Sequence, residues 1–157
     1  MATWAELEAD APDVAARARA LLYQFGPPLG YIATVRRDGG PRVHPFCPIV
    51  HDGHLWAYLL RHSPKCRDLQ RDPRFALHAF PAADVDDELM IRGVASVVES
   101  PSDALRAGVI DAAKPATVGA DEELLFELGI ERVMLATYER RPQWPPAYER
   151  WLAPELR

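Results

Sequence analysis

Between residues 30 and 60 the chain alternates strand-like runs with tight turn signals. GYIATVRR and RVHPFCPIV, which begin at Gly30 and Arg42, are separated by Asp-Gly-Gly-Pro, and an Asp-Gly pair leads into LWAYLL at Leu55. Asp-Gly pairs between apolar runs are strong signals for β-hairpins. Because strands joined by such short turns pair antiparallel, this region favours an antiparallel sheet over a doubly wound parallel one.

Six strands are predicted in all, with only short helices between them. The strands are 30–37, 42–50, 55–60, 74–80, 88–99 and 132–139. The helices are a first turn from Trp4, a helix from near Asp13 to about Phe25, one from Ser63 to about Arg71, and two at 102–113 and 121–128. We therefore expect a mainly β, α+β fold built on a six-stranded antiparallel barrel or curled sheet.

The chain contains no internal repeat and no linker that would divide it, and its 157 residues suit one domain. We expect a single domain over 1–157, with N-terminal helices at about 4–25 and a barrel at about 30–139. The tail, 140–157, is rich in Pro and Trp, and we expect it to lie across the surface.

Three residues within the predicted strands place constraints on the sheet. Pro45 and Pro48 each remove a backbone donor from the second strand, so this strand must be an edge strand or be bulged. Gly93 stands alone in the middle of the 88–99 strand. An isolated strand glycine marks a bulge or a close approach of two backbones.

Composition and charge argue against several classes of protein. Lys and Arg number 18 against 23 Asp and Glu, a net charge of -5, whereas nucleic-acid and anionic-membrane proteins rely on basic surface. No apolar run approaches the roughly 20 residues that span a bilayer. The opening MATWAELEAD lacks the pattern of a signal peptide, and Cys47 and Cys66 show no paired spacing. We expect a cytoplasmic protein with reduced thiols and no nucleic-acid or membrane partner.

The segment RHSPKCRDLQRDPRF predicts a short helix with an unusual start. Ser63 is a good N-cap, Pro64 suits the first helical position, and Pro73 ends the helix near Arg71. The side chains around its positive end are Arg61, His62 and Lys65. Cations are unfavourable at this end unless an anion such as phosphate binds there. The alternative is a capped surface helix whose basic residues face water.

The order of these segments resembles the pyridoxamine 5'-phosphate oxidase-like superfamily of flavin-binding split barrels. The matching segments are IATVRRDGGPRVHPFCPIV, DGHLWAYLLRHSPKCRDLQRDPRFALHAF and ELMIRGVASVVE, which together cover about residues 30–99. The resemblance implies a six-stranded antiparallel split β-barrel that binds FMN and acts as an oxidoreductase on a small-molecule substrate. It also implies a homodimer with two cofactor sites at the subunit interface.

The resemblance also implies a set of cofactor-binding residues. Those beside the flavin ring are Arg42, Val43, His44, Pro45, Phe46 and Cys47. Tyr58 and Leu59 border the ribityl chain, and the phosphate is held by Arg61, Ser63 and Lys65. Glu88 stands where the oxidases have a glutamine that helps to hold the ring. The tail tryptophans, Trp144 and Trp151, are candidates for completing the partner's pocket. No catalytic acid or base is indicated.

The sequence departs from the true oxidases at positions that bear on function. The tail WPPAYERWLAPELR lacks their Arg-x-His signature, which binds the phosphate of the substrate, so oxidation of pyridoxamine phosphate is not expected. Cys47 stands in place of a lysine, and Glu88 in place of the glutamine. These changes leave the identity of the flavin open.

Three alternatives to an FMN enzyme remain open. A deazaflavin-dependent reductase would need a basic groove for the cofactor's acidic tail, for which the candidates are Arg36, Arg37, Arg42 and Arg67. A non-catalytic protein would only bind flavin, or haem with His44 as ligand. A structural barrel would bind no cofactor. His51 and His54 flank a turn without a third ligand, so no metal site is expected.

Overall fold

The strands of the protein form one continuous antiparallel sheet. The computed structural model describes residues 1–82, 84, 86–113, 121–138 and 144–157. Its helices are α1 (Trp4–Asp10), α2 (Pro12–Leu22), α3 (Pro64–Arg71) and α4 (Asp103–Ala112), with a 3-10 turn at Pro154–Leu156. Its strands are β1 (Gly30–Val35), β2 (Pro41–Phe46), β3 (Ile49–His51), β4 (His54–Leu60), β5 (Arg74–Ala79), β6 (Glu88–Val97), β7 (Glu123–Thr137) and β8 (Ala147–Leu152).

The order of the strands shows that this sheet closes on itself. The order is β2-β1-β5-β6-β7-β4-β3, and β8 pairs with the second half of β7. The two ends of this path, β2 and β3, are joined only by Cys47 and Pro48. Three Cα–Cα steps span at most about 11 Å, so the ends of the sheet must meet. The predicted class, an antiparallel split barrel with short flanking helices, is confirmed.

The prolines and the isolated glycine lie where the sequence predicts special backbone. Pro45 is on β2, which stands at the end of the strand order and pairs with β1, and Pro48 separates β2 from β3. The β6–β7 ladder shifts register between Arg92 and Gly93. All three predictions are confirmed, and the break at Cys47-Pro48 leaves a gap between the two edge strands.

The strand count is eight within the described residues, not six, and one predicted helix is wrong. Residues 123–128 of the predicted 121–128 helix belong to the long strand β7, together with most of the predicted 132–139 strand, and 121–122 form a turn. Phe126 and Leu128 belong to the main hydrophobic core of the barrel. Leu125, on the opposite face of the strand, belongs to a second buried hydrophobic cluster that includes residues of α4. Burial on both faces and pairing with β4 and β6 override the helical propensity of Glu and Leu.

The tail is also more ordered than the sequence indicates. Residues 147–152 form β8, and Trp151 is buried and donates its indole N–H to Asp10, at 2.6 Å. Trp151 is therefore a core residue of its own chain, and its role in the partner's pocket stays a prediction. Trp144, in contrast, is exposed.

The N-terminal helices complete the barrel core. Thr3 and Glu6 form a capping box at the start of α1, and Trp4 and Leu7 are fully buried. α2 contributes buried Leu22 to the same cluster, whereas Phe25 lies beyond the helix and is exposed. Among the described residues, none of the helices has the length and apolar character needed to cross a membrane.

Candidate functional site

A cavity of about 280 Å³ lies where β2 ends, beside β4 and the start of α3. We call it the β2–α3 pocket. It is lined by Leu29, Pro45, Phe46, Cys47, Tyr58, Leu59, Leu60, Ser63, Lys65, Phe80 and Glu123. The pocket brings together seven of the twelve residues predicted to bind a cofactor: Pro45, Phe46, Cys47, Tyr58, Leu59, Ser63 and Lys65.

The positive end of α3 lies at this pocket. The Ser63 side chain caps the helix by accepting a hydrogen bond from the Cys66 backbone N–H at 3.3 Å. Lys65 donates from Nζ to the Pro45 carbonyl oxygen at 3.0 Å, which ties the helix to β2. Burial lowers the pKa of Lys65, an effect opposed by the nearby Cys47. An anion bound here would meet both the dipole of α3 and the ammonium group.

Tyr58 carries a polar group that nothing in the described part of the chain satisfies. The residue is 7% exposed, and its hydroxyl is buried without a hydrogen-bond partner. Burial raises its pKa, so the hydroxyl stays protonated at neutral pH and is available as a donor. Leaving such a group unpaired costs about 1–3 kcal/mol. A ligand in the pocket with an acceptor atom near Tyr58 would remove this cost.

His44 has a similar unsatisfied atom but does not line the pocket. Its Nε2 is buried and has no hydrogen-bond partner among the described residues. Burial lowers its pKa, and the positive charges of Lys65 and Arg42 lower it further. The imidazole is therefore neutral at pH 7, with one nitrogen able to accept a hydrogen bond.

The remaining predicted residues lie outside the pocket. Val43 is 62% exposed on the outer side of β2, since successive side chains of a strand point to opposite faces. Arg61 donates from Nε to the Asp121 carbonyl oxygen at 3.1 Å. Glu88 lines a separate cavity with His78, Pro81, Asp86, Asp87 and Tyr138. Matching residues of this chain to those of the family by position along the sequence does not show which side of a strand faces the pocket.

Arg42 belongs to a second, larger cavity of about 680 Å³ on another side of α3. We call it the arginine cleft. Its lining residues are Arg36, Arg37, Asp38, Arg42, Pro64, Arg67, Asp68 and Arg71. The four arginines that the sequence offers for an acidic tail therefore lie together. The sequence does not predict that Asp68 and Arg71 also line this cleft. No local signal indicates that an aspartate between arginines on a helix is buried.

The described residues contain no grouping of three or more His, Cys, Asp or Glu side chains that could hold a metal ion. Cys47 and Cys66 are free thiols. Burial raises the pKa of Cys47, which the Lys65 charge opposes, so the thiol is protonated at neutral pH. The chemistry available in the β2–α3 pocket is thus hydrogen bonding, positive charge and apolar contact.

The curled antiparallel sheet, the broken β2–β3 edge and the short flanking helices define a split-barrel protein. A family model described as pyridoxamine 5'-phosphate oxidase matches residues 16–140, and the chain belongs to this family. No curated protein matches the chain.

Solved structures share the fold at low sequence identity. A heme binding protein from Mycobacterium smegmatis has 21% identity and a TM-score of 0.65; the match covers 87% of this chain but only 57% of that protein. An F420 reductase has 23% identity and a TM-score of 0.57, covering 73% and 94% of the two chains. A putative pyridoxamine 5'-phosphate oxidase from Listeria innocua has 20% identity and a TM-score of 0.57, covering 75% and 94%. At these identities the likenesses establish the fold alone.

Proposed function

We propose that the protein is an FMN-binding oxidoreductase acting on a small-molecule substrate, with the flavin held in the β2–α3 pocket. The observation that carries this proposal is the buried hydroxyl of Tyr58, which has no hydrogen-bond partner among the described residues, in a pocket that also contains Lys65 and the start of α3. Such a hydroxyl calls for a polar ligand atom, and the lysine and helix end call for an anion. FMN supplies both in one molecule.

The roles of the chain's residues follow from their places in the pocket. Ser63 and Lys65 lie where a phosphate would meet the helix dipole and a positive charge. Tyr58 would donate a hydrogen bond to the cofactor, and Phe46 and Phe80 supply apolar surface that excludes water. When bound, FMN supplies the hydride or electron transfer itself. We assign no catalytic acid or base to the protein.

We further propose that the protein is a homodimer whose partner chain completes each pocket. A cavity of about 280 Å³ is slightly smaller than the about 300–1,000 Å³ typical of cofactor sites. Apolar side chains remain exposed beside it, among them Leu60 at 53% and Val43 at 62%. A second copy packed on this surface would cover them and enclose the cofactor. The cytoplasm remains the expected location, in keeping with two free thiols.

Replacing Tyr58 by Phe tests the observation on which the proposal rests. We expect the unliganded protein to become more stable by up to about 1 kcal/mol, since an unpaired buried hydroxyl is removed. We expect FMN affinity to fall about five- to tenfold, because the cofactor loses a donor. Urea unfolding and quenching of FMN fluorescence measure the two quantities. A variant that is less stable and binds FMN as well as before would show that Tyr58 serves the fold alone.

Replacing Lys65 by Ala tests the phosphate end of the pocket. The loss of one charge-assisted hydrogen bond to phosphate predicts an FMN affinity at least tenfold weaker. The unliganded protein loses only the hydrogen bond to Pro45, which costs about 1 kcal/mol at most. Arg67→Ala is the matched control, because Arg67 lies on the same helix but lines the arginine cleft. Equal effects of the two changes on FMN binding would indicate a general effect of charge and contradict a phosphate site at Lys65.

A deazaflavin is the second candidate cofactor. Its ring would occupy the same pocket, and its acidic tail would find the arginine cleft next to the pocket: Pro64 lines the cleft, while Ser63 and Lys65 line the pocket. The fold shared with a reductase of F420, a deazaflavin, is compatible with this candidate. The titration with FMN therefore includes a deazaflavin as a competitor, and preferential retention of the deazaflavin would replace the FMN proposal.

A further inference from the structure

A further cavity, of about 360 Å³, lies where the N-terminal helices meet α4. We call it the α2–α4 groove. Its lining residues are Trp4, Glu8, Arg19, Tyr23, Val50, His51, Asp52, Gly53, Asp111 and Ala112. No described residue lines both this groove and either the β2–α3 pocket or the arginine cleft. The volume of the groove is within the range of about 300–1,000 Å³ that is typical of small-molecule sites.

Hydrogen bonds hold the walls of the groove together. The Ala5 backbone N–H donates to the Gly53 carbonyl oxygen at 2.8 Å, which ties α1 to the turn between β3 and β4. The Tyr23 hydroxyl accepts a hydrogen bond from the Val50 backbone N–H at 3.0 Å and donates to the Ala112 carbonyl oxygen at 3.4 Å. This hydroxyl therefore links β3 to α4. A groove whose walls are already fixed loses little entropy when a ligand binds.

The floor of the groove is apolar and holds two of its charged side chains in place. Trp4 and Val50 are buried. The indole Nε1 of Trp4 donates a hydrogen bond to the Glu8 carboxylate at 2.8 Å. The guanidinium of Arg19 lies over the Tyr23 ring, with its Cζ 5.4 Å from the ring centroid. An anionic and a cationic group thus have defined positions above an aromatic floor.

The rim of the groove carries charges that do not pair with one another. Glu8, Asp52, Asp111 and Arg19 are all exposed. Within the described parts of the chain, none of these four side chains belongs to an ion pair. A diamine would leave Arg19 without an opposite charge, and a ligand with one ammonium and one carboxylate would leave carboxylates of the rim without one. The complementary ligand has more ammonium than carboxylate groups.

We propose that the α2–α4 groove is a separate binding site for a small diamino acid, a molecule with two ammonium groups and one carboxylate on a short apolar chain. Arg19 binds the carboxylate of the ligand. The ammonium groups bind the carboxylates of Glu8, Asp52 and Asp111, and the apolar chain lies on Trp4. The site goes beyond the proposed FMN function, because it shares no described residue with the β2–α3 pocket.

Titration calorimetry of the full chain with L-lysine, at low ionic strength, tests the site. Two analogues test the charge pattern: 1,5-diaminopentane lacks the carboxylate of lysine, and 6-aminohexanoate lacks its α-ammonium group. We expect L-lysine to bind at least about fivefold more tightly than either analogue, since each analogue loses a charge-assisted hydrogen bond. Absence of L-lysine binding, or equal binding of all three molecules, would overturn the proposal.

Variants of the rim assign the charges to the two ends of the ligand. Arg19→Gln is expected to weaken L-lysine binding at least about fivefold without weakening 1,5-diaminopentane binding, because only lysine has a carboxylate. Asp111→Asn is expected to weaken the binding of both. Asp103→Asn is the matched control, since Asp103 is exposed on the same helix but outside the groove. Equal effects of Asp111→Asn and Asp103→Asn would contradict a site in the groove.

The indole N–H signals in a ¹H–¹⁵N NMR spectrum locate the bound molecule. An ammonium group at Glu8 should shift the signal of Trp4, which donates to that carboxylate. The signal of Trp151, which donates to Asp10 outside the groove, should stay in place. A shift of Trp151 without a shift of Trp4 would reject the groove as the site. L-lysine binding at Trp4 in a chain that binds no FMN would uphold the groove and reject the FMN proposal.

Discussion

Gly93→Ala is expected to destabilise the protein by about 3 kcal/mol, a large effect for the addition of a single methyl group. A Cβ built on Gly93 would lie 1.8 Å from the Gly129 carbonyl oxygen and 2.9 Å from its carbonyl carbon. The neighbouring atoms are backbone of β7, which cannot rotate away as a side chain can. Two strands at the centre of the sheet would have to separate at the bulge between Arg92 and Gly93.

Gly40→Ala is the control for this substitution. The nearest atom to a Cβ at Gly40 is Asp38 Oδ1 at 3.1 Å, the end of an exposed side chain that can move. We expect Gly40→Ala to change the free energy of unfolding by less than about 0.5 kcal/mol. Urea unfolding of both variants measures the difference. Similar midpoints for Gly93→Ala and Gly40→Ala would contradict the close approach of β6 and β7.

Asp68→Asn is expected to destabilise the protein by about 3 kcal/mol. The change removes the negative charge that Arg42 and Arg71 share, and an amide has a single acceptor oxygen for the three donors that now meet the carboxylate. The two guanidinium groups then lack a full counter-charge beside a buried site. Removing one partner of a buried ion-pair network is strongly destabilising for this reason. The change also weakens the contacts of α3 with β1 and β2, so thermal and urea unfolding both report it.

The same carboxylate makes the stability of the protein depend on pH in the acidic range. Burial alone would raise the pKa of Asp68, but hydrogen bonds from Arg71, Arg42 and Thr34 hold it below its ordinary value. Its folded-state pKa is therefore lower than its unfolded-state pKa of about 4. Its stabilisation is complete above the unfolded-state value and is lost as the pH falls through the folded-state value.

A pH series separates the Asp68 network from general acid unfolding. The stability difference between wild type and Asp68→Asn should be constant near neutral pH and shrink below about pH 4. Thr34→Val is the matched variant, because it removes one neutral donor and leaves both arginines paired; we expect it to cost about 1 kcal/mol. An undiminished difference between wild type and Asp68→Asn at the lowest pH where both still fold would contradict an ionised, paired Asp68.

Much of the barrel is predictable from local signals in the sequence. Turn residues such as Asp52-Gly53, the Ser63 cap and the edge prolines act over a few residues, and the structure confirms each of them. The prediction of a helix at Phe126 is wrong because the Glu and Leu residues of that segment favour helix locally. Only its pairing with β4 and β6, strands far away in the sequence, makes it a strand.

The sequence suggests what kind of ligand the site binds, which stays a prediction, but it does not show how the site residues are arranged. A helix cap next to Lys65 indicates an anion site, and the resemblance indicates which strands border it. No local pattern shows that Arg42 turns toward Asp68 or that Arg61 bonds to Asp121, because these contacts depend on which face of β2 and α3 meets which neighbour. The buried hydroxyl of Tyr58 is likewise a property of tertiary packing.

The central claim is that the β2–α3 pocket binds a flavin, and an absorption spectrum tests it most directly. The purified protein is mixed separately with FMN, a deazaflavin and haem, passed through gel filtration and scanned in the visible range. We predict an FMN spectrum that travels with the protein and is lost with Lys65→Ala. Protein that emerges free of all three cofactors, or that carries only haem and keeps it in Lys65→Ala, would contradict the claim.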